Sequence, residues 1–247
     1  MTVLLVGVGA DTSNSSRPPP IYDDHRFEFI PIPDNHESTE SMRYGNWALR
    51  YQNGVLAEYF ESIERKGTRL REFADVPLHH DPNFEALTFG DPGKTRSKLT
   101  ELCEGDLLAF YTGLAREDKK TPVHRYIIGY FTVESVVNFA GLSGKARREA
   151  IEANTDNAHI KRYQTDENER HLSDLVIARG KEPAVLLDRA VQVSERRANG
   201  HYYFTEEWKS FLSPRSAYLG GFKNPIFCDV SPSVFIDRIE EETTRLR

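Results

Sequence analysis

The sequence predicts an α+β fold in which a mostly antiparallel, barrel-like sheet is flanked by helices. Residues 107–111 form a continuous apolar run behind Gly105 and Asp106, a pattern typical of a strand buried on both faces. Residues 124–137 are aromatic and β-branched, and we expect them to pair antiparallel with the first run. Helical patterns at 55–66 and 235–247 would flank this sheet. A single domain over residues 1–247 is expected.

The composition indicates a globular protein and excludes some functions. Of the 247 residues, 38% are hydrophobic and 28% are charged, which is typical of a chain with a packed core. The net charge of −6 argues against a protein that coats nucleic acid, because such binding depends on Lys and Arg. No apolar run approaches the length of a membrane helix, and residues 1–8 lack a basic signal-peptide region. We therefore expect a cytoplasmic protein without membrane association.

The N-terminal segment predicts a strand, a polar loop and a second strand. Residues 3–8 are apolar, and the Gly7-Val8-Gly9 sequence after them suggests dinucleotide binding. That interpretation fails because Thr12 stands where a third glycine would open a helix, and three prolines follow. The loop 11–20 is then either a connector or a polar clamp, and 27–32 is the second strand.

The other segments are assigned from periodicity and from capping or turn residues. Lys66-Gly67 is interpreted as the end of the helix at 55–66. Gly129 is expected to mark a bulge or bend in its strand. The remaining predicted helices are at 95–103, 142–153 and 205–212, and the remaining strands are at 74–78, 174–178, 185–193 and 226–230. A turn at Arg179-Gly180-Lys181 is expected between the strands 174–178 and 185–193.

The chain contains no standard catalytic signature, and the chemistry-bearing residues are scattered. His79, His80 and Asp81 are the weak candidates for acid–base catalysis. Adjacent histidines on an extended chain point to opposite faces, so only one of the two can face a given site. A metal would need a third ligand from elsewhere. The sequence therefore predicts no metal site, and it identifies no cofactor.

A cluster of cations precedes the central strand. Lys94, Arg96 and Lys98 lie at the predicted start of the helix 95–103, where free N–H groups favour a phosphate. The same pattern also fits an ordinary solvated helix face. Both interpretations remain open from the residues alone.

The order of these motifs resembles a known family. His79-His80-Asp81-Pro82, the Phe89-Gly90 turn and the Gly105-Asp106-Leu-Leu-Ala-Phe strand are similar to the nucleotide modification associated domain 3 family, found near DNA base-modification systems. The resemblance implies that the loop with Ser13 and Asn14, together with His159, contributes to a site. The paired strands more remotely resemble PUA-like and EVE-like barrels. The chain departs from the family pattern at His80 and Asp91.

Three functions follow as hypotheses. The first is a binding module for a nucleotide, nucleic acid or modified base in a DNA modification system, with a base held between Phe110 and Tyr111. The second is an enzyme of base or nucleotide modification. The third is a non-catalytic partner of other proteins in a modification or restriction system. The ligand-binding residues expected under the first hypothesis are Ser13, Asn14, Arg17, Asp81, Lys94, Arg96, Asp106, Phe110, Tyr111 and His159.

Overall fold

The strands and helices occur in mixed order along the chain. The computed structural model describes residues 1–93, 96–116, 122–219 and 225–247, with the backbone alone at 96 and 97. The strands are β1 (Val3–Gly7), β2 (Ile32–Pro33), β3 (Ile63–Arg65), β4 (Thr68–Leu70), β5 (Leu78–His79), β6 (Thr88–Asp91), β7 (Leu107–Leu114), β8 (His124–Asn138), β9 (Val176–Gln192), β10 (Ser194–Arg196), β11 (Tyr202–Phe204) and β12 (Ile226–Cys228). The α-helices are α1 (Leu56–Tyr59), α2 (Arg96–Leu99), α3 (Gly144–Glu152), α4 (Ala158–Asp166), α5 (Glu206–Leu212) and α6 (Pro232–Arg245).

The main sheet has six strands in the order β12-β1-β7-β8-β9-β6 and curls into half a barrel. Strands β1 and β7 run parallel, and the other four neighbouring pairs are antiparallel. The α+β prediction is confirmed, and the sheet is mixed. The antiparallel pairing of β7 with β8 and the bulge beside Gly129 are also confirmed. The likeness to PUA-like barrels stays a prediction.

The centre of the core is strand β7, in which every residue is buried. Its Phe110 is fully buried, and its ring lies 5.3–5.5 Å, centroid to centroid, from those of Phe84, Phe89 and Phe131. Aromatic rings packed at tilted or perpendicular angles stabilise a core beyond their buried area. The apolar run at 107–111 therefore serves packing on both faces of the sheet.

The helix predicted at 55–66 is wrong beyond its first turn. Helix α1 ends at Tyr59, and the chain then forms the hairpin of β3 and β4. Lys66 and Gly67 have φ of 51° and 75°, so they are the two central residues of the hairpin turn. Two successive positive φ angles match the right-handed twist of paired strands. A Lys-Gly pair fits a helix end and a hairpin turn equally well in sequence.

Two further predictions are corrected. The turn at Arg179-Gly180-Lys181 does not form, because β9 runs without interruption through these residues. Gly180 allows close packing instead, since a Cβ there would overlap the ring of Phe131. The predicted strand at 27–32 is a buried segment with an isolated bridge at Phe27, and regular pairing begins only at β2. In the parts of the chain that the structure describes, no helix has the length and apolar character needed to span a bilayer.

Replacing Phe110 with Ala should lower the free energy of unfolding by about 3–5 kcal/mol, because it leaves a cavity in the aromatic core. Urea denaturation followed by circular dichroism would measure this. The matched change Val234→Ala, at a side chain that is 48% exposed on α6, should change stability by no more than about 0.5 kcal/mol. Equal effects of the two substitutions would contradict a core role for Phe110.

Candidate functional site

A cleft of about 600 Å³ opens at the end of β1. Its other walls are β2, the end of β5 with the residues that follow it, and β6. Helix α4 begins at its floor, where it contributes His159. The residues that line the cleft are Gly7, Val8, Gly9, Asp11, Ser13, Asn14, Ile32, His79, Asp81, Phe89, Gly90, Asp91, Pro92 and His159. This volume lies within the range of small-molecule sites in proteins.

Three buried side chains, His79, Asp81 and His159, meet at the floor of the cleft. The Nε2 atom of His159 lies 3.5 Å from Oδ2 of Asp81, and the Nε2 atom of His79 lies 4.0 Å from the same oxygen. The two imidazole rings are perpendicular, with centroids 4.6 Å apart. Each of the three side chains is no more than 8% exposed. We call this group the His/Asp cluster.

Asp81 is a buried carboxylate held by the backbone of the neighbouring strand. Its Oδ1 and Oδ2 atoms accept the N–H of Gly90 at 3.2 and 2.9 Å. Burial raises the pKa of Asp81 to about 7, although the contact with His79 and the bond from Gly90 partly offset this. The carboxyl group is thus far easier to protonate than an exposed aspartate.

Both imidazoles of the cluster are held neutral. Burial lowers the pKa of His79 to about 4 and that of His159 to about 3, and the charge of Arg162 acts in the same direction on both. The Nε2 atom of His159 also lies 3.1 Å from the carbonyl oxygen of Gly90, and its Nδ1 atom lies 3.5 Å from Nη1 of Arg162. The first contact fits a proton on Nε2 of His159.

Behind the cluster lies a buried ion pair of Asp34 and Arg162. The Nε atom of Arg162 donates to both carboxylate oxygens of Asp34 at 2.8 Å. Oδ2 of Asp34 lies 3.4 Å from Nδ1 of His79, without the alignment of a hydrogen bond. Burial alone would raise the pKa of Asp34, but its contacts with His79 and Arg162 outweigh burial and lower that pKa below the ordinary value. Asp34 is therefore an anion beside a neutral imidazole.

Gly90 lets the edge strand β6 approach helix α4. A Cβ at this position would lie 2.9 Å from Cδ2 of His159 and 3.1 Å from Oδ1 of Asn157. Asn157 caps the helix, since its side chain accepts the N–H of His159 at 3.0 Å. The missing side chain of Gly90 thus sets the position of His159 in the cluster.

A comparison with protein families places the chain. The model of nucleotide modification associated domain 3 matches residues 2–215. The chain belongs to the nucleotide modification associated domain 3 family. The matched residues run from β1 through α5 and include the His/Asp cluster, Asp34 and Arg162. No curated protein and no solved structure matches the chain.

The structure brings four of the sequence-predicted ligand residues of this family member into the cleft: Ser13, Asn14, Asp81 and His159. Ser13 and Asn14 belong to a loop in which Oγ of Ser13 donates to Asp11 and Oδ1 of Asn14 accepts the N–H of Asp11. Of the adjacent histidines, His79 lies in the cluster, whereas His80 packs edge-on against Trp47 at a centroid distance of 5.0 Å. The expectation that the two histidines face apart is confirmed.

Four other predicted ligand residues lie away from the cleft. Arg17 stacks on the ring of Tyr59 and lines a separate cavity of about 480 Å³. Asp106 accepts the N–H groups of Thr2 and Cys103, which closes the turn before β7. Phe110 and Tyr111 are buried in the core. Lys94 and the side chain of Arg96 lie outside the described residues.

The sequence did not reveal the buried ion pair of Asp34 and Arg162. Asp34 has no local pattern that marks a site. Arg162 lies near His159, where basic and aromatic residues suit a phosphate or base, but the six basic and six acidic residues of 143–170 favour a solvated surface. One signal was available in principle: on a helix, residues three apart share a face, so a site at His159 includes Arg162. The third potential ligand that a metal requires is His159, which also comes from α4. Two imidazoles with one carboxylate can either transfer protons or hold a metal ion.

Replacing Gly90 with Ala should displace His159 and lower the free energy of unfolding by about 1–3 kcal/mol, because the added methyl group overlaps α4. Urea denaturation would measure the change. Gly141→Ala is the matched control, since a Cβ there meets no atom within 4 Å of the described structure. If the two variants were equally stable, β6 and α4 would not be in close contact at Gly90.

Replacing Arg162 with Ala should destabilise the fold by about 3–5 kcal/mol, because it leaves Asp34 charged and buried without its partner. The double substitution Asp34→Asn with Arg162→Ala should recover part of that loss. Arg148→Ala, at an exposed position of α3, serves as the control. Thermal and urea denaturation report the three values, and an Arg162→Ala protein as stable as Arg148→Ala would refute the pairing.

Proposed function

We propose that the chain binds a nucleotide or nucleic-acid base in the cleft and that the His/Asp cluster carries out chemistry on it, as an enzyme of a nucleotide modification system. The family to which the chain belongs supports the modification system. The observation that carries the enzymatic part is the convergence of His79, Asp81 and His159 at the floor of an open cleft.

Burial beside an accessible cavity is what favours chemistry over a purely structural role. Burying a carboxyl group and two imidazoles costs free energy, and structural groups of this kind are normally satisfied by direct hydrogen bonds. In the described structure Asp81 has its bonds from Gly90, but His79 contacts Asp34 and Asp81 only at 3.4 and 4.0 Å. Ionisable groups with strongly perturbed pKa values in a cleft are typical of functional sites.

The cleft walls offer contacts for a nucleotide. Phe89 lines the cleft with the small part of its ring that the core leaves exposed, and this part could contact a base. The loop with Ser13 and Asn14 provides hydroxyl and amide groups for the polar edge of the base. The backbone at Gly7 and Gly9 carries no side chain that would block close approach of a ligand. Phe110 and Tyr111 do not take part in this proposal, because both are buried in the core.

A base-recognising protein without catalysis is the second candidate, and the polar loop with Ser13 and Asn14 favours it. It would use the same cleft and the same ligand. The two candidates differ in outcome: the first converts a nucleotide or a base, and the second binds it unchanged. A partner protein without a site of its own would do neither.

Replacing Ser13 with Trp should block the cleft and weaken nucleotide binding at least about tenfold, a loss of about 1.4 kcal/mol. Ser13 is exposed at the rim, so the change leaves the His/Asp cluster intact. Thr12→Trp is the control. Thr12 is also exposed, but it lines the separate cavity beside Arg17 and not the cleft.

Calorimetry and thermal-shift assays would use deoxynucleoside mono- and triphosphates and short single-stranded oligonucleotides with ordinary or 5-substituted pyrimidines. Mass spectrometry of the same mixtures would detect a product. Binding that survives in Ser13→Trp, or is absent from the unsubstituted protein, would refute the cleft as the site. Binding without any product would favour the recognition candidate.

A further inference from the structure

We propose that His79, Asp81 and His159 bind one divalent transition-metal ion. The three side chains come from two segments, the end of β5 and the first turn of α4, and one potential ligand atom from each lies within 4.8 Å of the other two. The inference deepens the proposed function. It rests on that function only for the chemical role of the bound ion. Metal binding itself is measured without any nucleotide, so each of the two can fail separately.

The distances between the ligand atoms support a compact site. In a tetrahedral site with bonds of roughly 2.0–2.1 Å, neighbouring ligand atoms lie about 3.3–3.4 Å apart. The Nε2 atoms of His159 and His79 lie 3.5 and 4.0 Å from Oδ2 of Asp81. Small rotations of the two imidazoles would therefore bring all three atoms into bonding distance of one ion, without a change of the backbone.

The surroundings of His79 match the outer shell of a metal-bound histidine. A metal-bound imidazole usually donates its second N–H to a carboxylate, which fixes the ring and its tautomer. Oδ2 of Asp34 lies 3.4 Å from Nδ1 of His79, on the side of the ring away from Asp81. This buried Nδ1 atom makes no hydrogen bond in the described structure. A rotation of His79 toward the ion would also align it with Asp34.

The charge at the cluster favours a cation. Asp81 and Asp91 both line the cleft, and the third carboxylate of this region, Asp34, is paired with Arg162. Arg162 is itself neutralised by its double contact with Asp34. Asp91 follows Gly90 and lines the cleft. A bound divalent ion would balance the remaining negative charge.

Two existing contacts of His159 would have to be exchanged. Its Nε2 atom lies 3.1 Å from the carbonyl oxygen of Gly90, and a metal ion would take the place of the proton in that contact. The proton would then stand on Nδ1, which could no longer accept from Nη1 of Arg162, 3.5 Å away. The opposing possibility is a cluster held by hydrogen bonds alone, which would have no affinity for metals. The fourth position of the ion would face the cleft, where water or a nucleotide could occupy it.

The ligand set selects a class of metal. Two imidazoles and one carboxylate suit Zn²⁺, Fe²⁺, Co²⁺ or Mn²⁺, whereas Mg²⁺ and Ca²⁺ prefer sites built from oxygen atoms alone. The shared chemistry is thus a divalent first-row ion, and separate titrations with these ions would identify which one binds most tightly.

The test uses the full chain after removal of metals with a chelator. Titration with Co²⁺ followed by visible absorption, and with Zn²⁺ by calorimetry, should show one ion per chain, and Mg²⁺ and Ca²⁺ should not compete. His159→Ala and Asp81→Asn should each weaken binding at least about 100-fold, more than is typical for loss of an outer contact. Asp34→Asn should weaken it about 10–100-fold.

The matched control is His80→Ala, which removes the neighbouring buried histidine that packs on Trp47. It should retain the affinity of the unsubstituted chain. Circular dichroism checks that each variant is folded. X-ray absorption of the Co²⁺-loaded unsubstituted chain needs no variant, and it should show two imidazoles bound to the ion. Loss of nucleotide binding in Ser13→Trp with metal binding intact would agree with the inference.

Three results would overturn the metal site. They are no binding of any of the four ions to the unsubstituted chain, equal affinity in folded His159→Ala, or a first shell without imidazole. In each case nucleotide binding in the cleft could still be present, so the proposed function would be judged by its own experiment.

Discussion

The arrangement of the site depends on the burial of two carboxylates, Asp34 and Asp81, on opposite sides of the His79 ring. A charged carboxylate inside a protein is tolerated only with a partner or with several hydrogen bonds. Asp34 has the guanidinium of Arg162, and it stays ionised. Burial raises the pKa of Asp81 to about 7, because the backbone N–H of Gly90 and two neutral imidazoles do not offset the loss of water around it. The same type of side chain therefore takes two different states a short distance apart.

The fold meets this constraint by joining four segments that are distant in sequence. Strands β2 and β5 pair antiparallel, with Ile32 opposite His79. Asp34, after β2, therefore lies beside Pro77, whose carbonyl oxygen accepts its N–H, and Asp81 follows β5 beyond His79. Edge strand β6 supplies Gly90, and helix α4 covers it. The central sheet contributes little chemistry of its own, but the end of β1 forms one wall of the cleft.

Sequence reasoning succeeded where a pattern has one structural meaning. The buried run at 107–111, its antiparallel partner and the Thr205-capped helix were predicted, as was the separation of His79 from His80. It failed where a pattern has two meanings: Lys66-Gly67 ends helices and also turns hairpins, and Gly180 marks turns and also close packing. Phe110 and Tyr111, which the sequence predicts to hold a base, lie in the core, because every residue of β7 is buried.

The site itself was predictable only in part, because its members are joined by tertiary contacts. His79 and Asp81 stand two residues apart, and alternation along an extended chain places them on one side. Their link to His159, Arg162 and Asp34 depends on how α4 docks on β6, which no local pattern encodes.

Helix α4 connects both carboxylates through one turn of its backbone. His159 faces Asp81, and Arg162, three residues on and on the same face, binds Asp34. A displacement of this turn must change the surroundings of both carboxylates together. Substitutions at the two positions should consequently have non-additive effects, as expected for residues of one network. The cluster and the outer ion pair are therefore one energetic unit, and ligation at the cluster would be felt at the pair behind it.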